Sequence, residues 1–189
     1  LKQKKILLIT LRTFSLVGGI EKVCKALSFA LQNLAQQKLV QYKLYALHDD
    51  IEEQAYISSQ NFKAFHGKLF LGISKSIWEG LQNQIIILSH INLALIGLVI
   101  KMISPKTKVI LWTHGIEVWR PLKGLKKRLL EVADEIIEKG LSVKATDLLI
   151  KNIEEFYEAL KKLTGATVKL SGIYPGFFGN YAFMLNLNE

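Results

Sequence analysis

The chain has 189 residues, half of them hydrophobic, with a formal net charge of +9, a pI near 9.5 and a mean hydropathy of +0.22. That apolar content supplies a core for one domain plus a small appendage, and it excludes a disordered or low-complexity chain. A single cysteine, Cys24, excludes an internal disulfide framework and suits a reducing compartment, while the basic excess favours acidic partners without choosing among nucleotide phosphates, anionic lipid and nucleic acid.

The sequence begins LKQKK and runs directly into Lys5–Leu11, a near-continuous apolar run expected of a central parallel strand. That start does not resemble a secretory signal. Arg12–Gly19 is a loop ending in Val17-Gly18-Gly19. Ile20–Gln36 reads as a helix, with Ile20, Val23, Leu27, Leu31 and Leu34 at helical spacing and Cys24 as a small core residue. Tyr42–Leu47 is a second strand, with His48-Asp49-Asp50 as its polar end. From Ile51 to Lys68 the pattern weakens, leaving a short strand at Phe62–Phe65, and Ile73–Leu81 reads as a short helix.

Ile85–Ile103 is the one segment worth testing as a membrane span, and Ser89, His90, Asn92 and Lys101 interrupt it. A buried strand at Ile85–Leu88, a turn and a buried helix at Leu93–Ile103 fit better, with Ser104-Pro105-Lys106 stopping the helix. Lys108–Thr113 is another buried strand. Leu122–Ile137 reads as an amphipathic helix with Leu122, Leu125, Leu129, Val132 and Ile136 on one face. This alternation predicts an α/β fold over residues 1–140: a Rossmann-like parallel sheet with helices on both faces.

The pattern then changes. Thr146–Leu163 reads as a helix capped by Thr146 and Asp147, and Thr167–Tyr174 and Tyr181–Leu187 alternate like the strands of a hairpin. Residues 141–189 are therefore expected to form a small α+β appendage of a helix and a β-hairpin.

Polar groups gather at the predicted strand ends. Gly18-Gly19, between a strand and a helix, would let backbone N–H groups approach a phosphate, or would be a tight turn with no ligand. Neither a full G-x-G-x-x-G fingerprint nor a G-x-x-x-x-G-K-[ST] loop is present. Glu21 stands in the first turn of the helix, where a carboxylate also complements the helix dipole. His90 and His114 each close a strand, so two imidazoles can meet at one crevice as general base or hydroxyl-orienting groups; the alternative is a buried His bonded to a loop carbonyl. Glu117 would bind a sugar hydroxyl, pair with Arg12 or Arg120, or face water. His48 and His66 are expected on the surface. No H-x-x-x-H, C-x-x-C or G-x-S-x-G occurs, which gives no support to a metal site or a serine hydrolase. Lys123, Lys126, Lys127 and Arg128 form a basic cluster, read as a solvated face or a membrane-surface patch, and nucleic-acid binding rests on net charge alone.

Three stretches resemble the N-terminal half of a GT-B glycosyltransferase of the retaining family 4. They are KILLITLRTFSLVGGIEKVCKALSFAL, IIILSHINLALIGLVIKM, and KVILWTHGIEVWRPL with the later LLEVADEII. The resemblance implies a nucleotide-sugar donor such as a UDP- or GDP-sugar, a glycan or lipid-linked acceptor, and no metal. It implies that Gly18 and Gly19 approach the donor diphosphate, that His90 sits by the reacting sugar, and that His114 and Glu117 line the acceptor side; His90 and His114 are accordingly expected to be catalytic, and Glu117, Arg12 and Glu21 to bind substrate. It also implies a cytoplasmic protein, with Lys123, Lys126, Lys127 and Arg128 touching the inner membrane face. The likeness departs where Glu138-Lys139-Gly140 interrupts the strand the family places after ADEII. The donor-binding half, with its paired Glu residues, is expected to lie outside this chain.

Two readings follow. One is the acceptor-side domain of a retaining glycosyltransferase, inactive by itself. The other is a non-catalytic interaction or oligomerisation module on the same scaffold, with Phe177, Phe178, Tyr181 and Phe183 feeding a homo-oligomer interface.

Overall fold

The computed structural model describes residues 3–51, 53–114, 122–138, 169–175 and 181–186. The chain divides into two compact units, Leu1–Glu138 and Lys139–Glu189.

In the first unit β1 (Lys4–Thr10), β2 (Val40–Ala46), β3 (Phe62–Ala64), β4 (Ile85–Leu88), β5 (Lys108–Thr113) and β6 (Glu135–Glu138) form one sheet in the order β3-β2-β1-β4-β5-β6. Every neighbouring pair is parallel. Parallel strands covered on both faces must bury consecutive residues. Ile6 to Ile9, Ile85 to Leu88 and Val109 to Trp112 are accordingly buried without a break. The Rossmann-like α/β architecture is therefore present.

Among the described residues four helices cover the sheet: α1 (Gly19–Gln36), α2 (Leu69–Gly80), α3 (Ala94–Ile103) and α4 (Gly124–Val132). Successive strand residues point to opposite faces. Leu7, Ile9, Ile86, Leu88, Val109 and Leu111 share a core with Ile96 and Ile100 of α3 and Leu129 of α4. α1 packs against β2 through its own buried stripe of Cys24, Leu27, Leu31 and Leu34. Gly97 lies where α3 meets both the sheet and α4: a Cβ there would meet Leu88 Cδ1 at 2.7 Å and Leu129 Cδ1 at 2.8 Å, so both side chains would have to shift.

The predicted membrane-like segment is strand β4, a short 3-10 turn (Ile91–Leu93) and α3. Among the described residues no helix is long and apolar enough to cross a membrane. α2 starts at Leu69, earlier than the periodicity predicts, because Leu69, Phe70 and Leu71 are exposed and break the amphipathic pattern.

The single helix expected over Leu122–Ile137 is corrected. α4 ends at Val132, Ala133 is extended at φ −62°, ψ 136°, and Glu135–Glu138 joins the sheet beside β5. Asp134 causes the break. Its N–H donates to the Val109 carbonyl at 2.9 Å, its Oδ2 accepts from the Val109 N–H at 2.7 Å, and Lys101 Nζ donates to its Oδ1 at 2.9 Å. Those bonds fix the residue at a strand start, where periodicity alone continues the helix. The ADEII stretch, expected as the end of the helix, therefore supplies strand β6.

In the second unit β7 (Lys169–Pro175) and β8 (Tyr181–Asn186) form an antiparallel pair with an irregularity between Leu170 and Gly172. The predicted helix Thr146–Leu163 and the turn at 176–180 lie outside the described residues.

Candidate functional site

The strand order reverses between β1 and β4: the chain leaves β1 towards β2, and leaves β4 towards β5. The loops after those two strands part, and in doubly wound sheets that carboxyl-end crevice is where ligands bind. A cavity of about 290 Å³ lies there, lined by Leu11, Arg12, Leu16, Ile20, Glu21, His48, Ser89 and His90. Its size is at the lower end of the roughly 300–1,000 Å³ usual for ligand pockets. A larger cavity of about 460 Å³, lined by residues such as Lys5, Val40, Glu79 and Asn83, lies by the amino ends of the strands, away from the switch point.

Backbone bonds join the walls of the crevice. Leu47 N–H donates to the Thr10 carbonyl at 3.1 Å and His48 N–H to the Leu11 carbonyl at 2.9 Å, so the ends of β1 and β2 leave the sheet together. Ser89 N–H donates to the Ile9 carbonyl at 3.0 Å and ties in the end of β4. Asp49, wholly buried, accepts from the N–H groups of Thr13 and Phe14 at 2.7 and 3.0 Å. It also accepts from the N–H and hydroxyl of Ser15 at 3.1 and 2.6 Å. Phe14 then packs edge-on against Phe62, with ring centroids 5.4 Å apart. The loop that carries Arg12 is thereby fixed from below.

The two histidines hold different positions. His90, half-buried, caps the 3-10 turn after β4: its Nδ1 accepts from the Asn92 N–H at 3.0 Å. A ring that accepts at Nδ1 carries its proton on Nε2 and serves as a donor there, not as a base at Nδ1. His114 Nε2 lies 2.9 Å from the Ser89 carbonyl, and since a carbonyl only accepts, Nε2 carries a proton. His114 joins the crevice through Ser89 and is not among the residues that line it, so the expectation that His90 and His114 share one pocket is corrected. β5 is one strand further from the switch point than β4.

Glu21 and Gly18 are in contact. A Cβ on Gly18 would collide with the Glu21 carboxylate, whereas one on Gly19 would meet nothing within 4 Å. Gly18 is the N-cap of α1 in an extended conformation, φ −130°, ψ 176°, which any residue adopts, so a larger residue there would have to displace only the tip of the Glu21 side chain. Behind the crevice, burial pushes the Cys24 thiol up to about 12, with a hydrogen bond to Ser89 acting in the opposite sense. Such a thiol is an inert core group.

Arg12, Glu21 and His90 line one crevice, with Gly18 beneath Glu21 and Gly19 exposed beside it. Glu117 lies outside the described residues. His48 corrects the sequence reading: expected on the surface, it lines the crevice half-buried. His66 is exposed and meets Asp50 at 3.0 Å. Lys123, Lys126, Lys127 and Arg128 are all exposed on α4 or at its start. Sequence reasoning missed Asp49, although the strand-end argument that selected His90 applies equally to His48-Asp49-Asp50. Among the described residues no three His, Cys, Asp or Glu side chains come together as a metal-binding group.

Fold and crevice define a Rossmann-like α/β domain with a switch-point site. No protein-family profile matches the chain, and no curated protein does. Among solved structures it is similar to one described as an alpha-glucosyltransferase in complex with UDP and a 13-mer DNA containing a HMU base, with a TM-score of 0.46 and 14% identity. The match covers 72% of this chain and 38% of that one, so the chain spans well under half the length of that structure.

Proposed function

We propose that the unit Leu1–Glu138 is the acceptor-side half of a retaining, nucleotide-sugar-dependent glycosyltransferase of family 4. The observation that carries this reading is the crevice at the β1/β4 switch point, where Arg12, Glu21, His48 and His90 converge from three loops and a helix start. A carboxylate, a guanidinium and two imidazoles among apolar residues suit the hydroxyl groups and ring faces of a saccharide. Two of the three stretches that resemble family 4 contribute to the crevice, one through Arg12 and Glu21 and one through Ser89 and His90.

In this reading Glu21 and Arg12 hold acceptor hydroxyls and His90 donates from Nε2 to the reacting sugar. His114 acts through Ser89 as a positioning residue. A UDP- or GDP-sugar is supplied by a donor-binding half, and no metal takes part. The exposed Lys123, Lys126, Lys127 and Arg128 would hold the domain at an anionic membrane surface bearing a lipid-linked acceptor.

The test is sugar transfer from UDP- and GDP-sugars by a chain that joins this domain to a donor-binding half. His90→Ala is expected to lower transfer at least about a hundredfold with the fold intact, as for loss of a positioned polar group at a reacting centre. Unchanged transfer in that variant would remove the reading.

A further inference from the structure

We propose that β2 takes up an acidic, extended segment of a partner protein as an added strand, paired to its free edge at residues 40–43. This second site is separate from the crevice and does not depend on the glycosyltransferase reading. The first observation is backbone geometry. β1 pairs with β2 along its whole length, from Val40 to Ala46, whereas β3 starts opposite Leu44. The backbone groups of successive residues point to opposite sides of a strand. The Ala46 carbonyl accepts from the Phe65 N–H at 3.0 Å on the β3 side, and the Leu47 N–H donates to the Thr10 carbonyl at 3.1 Å on the β1 side. Val40 and Tyr42 therefore aim their N–H and C=O groups the same way as Ala46, past the start of β3, where no strand stands among the described residues. A row of such groups is a template for strand addition.

The second observation is the space and charge beside that edge. The cavity of about 460 Å³ is lined by every one of residues 40–43, and it also touches Asn61, immediately before β3. Tyr42 points to α1, where its Oη lies 2.8 Å from Ser28 Oγ, and Lys43 points to α2, where its Nζ donates to Glu79 at 2.8 Å. Lys38, just past α1, lines the cavity, and Lys5 lines it on the same sheet face as Lys43. A strand laid along the edge turns one row of side chains to each face, so an acidic residue in either row meets a lysine. Glu79 is the acid on the lining, and Lys43 and Tyr45 already bond it. Lys5 and Lys38 form no ion pair among the described residues. These lysines repel a second copy of a chain whose net charge is +9, which turns the edge away from self-association and towards an acidic partner.

The full chain is titrated with a peptide that alternates glutamate with valine, with its lysine–valine counterpart, and with the acidic peptide N-methylated at every residue. Fluorescence anisotropy reads affinity, and NMR reads amide exchange at Val40 and Tyr42. The acidic peptide should bind at least about tenfold tighter than the lysine peptide and slow exchange at both amides. N-methylation removes the peptide's backbone donors and should abolish binding. Lys5→Gln combined with Lys38→Asn keeps the edge and removes the two unpaired cations. Asparagine suits the left-handed backbone of residue 38, at φ 59°. That double variant should bind the acidic peptide at least about tenfold more weakly. Three results would overturn the proposal: no binding of the acidic peptide, equal binding of its N-methylated form, or unchanged exchange at Val40 and Tyr42 in the bound chain. Protection of those two amides that rises with protein concentration in the absence of peptide would overturn it as well, because a second copy would then occupy the edge.

Discussion

Ser15 gives both its backbone N–H and its hydroxyl to Oδ1 of Asp49, at 3.1 and 2.6 Å. The other oxygen of that carboxylate takes the N–H groups of Thr13 and Phe14. A buried carboxylate is tolerated when donors surround it, and four do so here. The loop after β1 and the loop after β2 consequently behave as one wall of the crevice, with Arg12 on one side of the clamp and His48 on the other.

Asp49→Ala removes the acceptor and leaves the buried N–H groups of Thr13 and Phe14 without it. The expected cost is about 3 kcal/mol, the magnitude for breaking bonds to a buried charge. Asp49→Asn keeps one accepting oxygen and should cost about half as much. Urea unfolding midpoints measure both, and amide exchange at residues 13–15 should quicken in each variant. A loss below about 1 kcal/mol in Asp49→Ala would mean that the loop is held chiefly by Phe14 and its aromatic neighbours.

Adjacent glycines should respond with opposite signs. At Gly19, the first residue of α1, nothing lies within 4 Å of a new Cβ, so Gly19→Ala gains helix propensity of up to about 1 kcal/mol. At Gly18 the new Cβ displaces the Glu21 carboxylate and places alanine at an N-cap, which costs about 1 kcal/mol. Thermal midpoints should therefore move apart by about 4–8 °C for a unit of this size. If both substitutions destabilise equally, the Glu21–Gly18 contact is not what constrains the turn.

The sheet was legible because its strands are continuous apolar runs with polar ends, and the strand at Lys108 starts where the sequence places it and runs to Thr113. Helix periodicity located α1 and α3 to within a residue of their starts. It failed at Asp134, because a side chain that bonds the backbone of a neighbouring strand is a long-range event with no local signature. The site was legible one strand end at a time: His90, Arg12 and Glu21 follow from that rule. Strand order was not legible, and strand order decides that His48 lines the crevice while His114 stands behind Ser89.

Glu79, near the end of α2, makes part of the stability pH-dependent. Burial would raise its carboxyl, but hydrogen bonds from Lys43 and Tyr45, the Lys43 charge and a bond from Asn83 more than offset it, so its pKa lies below the ordinary value. Lys43 Nζ donates at 2.8 Å and Tyr45 Oη at 3.0 Å. A depressed folded pKa means that the unfolded chain binds the proton first as pH falls. The contribution is therefore complete above the unfolded value and disappears as pH drops through the folded one. Tyr45→Phe should shrink this acid-side loss. Unfolding midpoints of the two chains, compared from neutrality into the acid range, should differ most at neutral pH and converge in acid.

Cys24 tests the packing of α1 against the sheet from the alkaline side. Cys24 is 1% exposed, and burial raises its thiol pKa from 9.0 to about 12. A raised folded pKa contributes stability that is complete below the unfolded value and lost as pH climbs through the folded one. The window runs from about 9 to about 12. Only the thiolate reacts with iodoacetamide, and burial keeps the folded chain's thiol protonated at pH values where the unfolded chain's thiol ionises. Labelling of the native protein should consequently follow global unfolding: slow without denaturant, and rising in step with the urea transition seen by circular dichroism. Fast labelling of a chain whose circular dichroism is still native would show that α1 opens locally. The contact of Cys24 with Ser89 would then not hold the rear of the crevice in place.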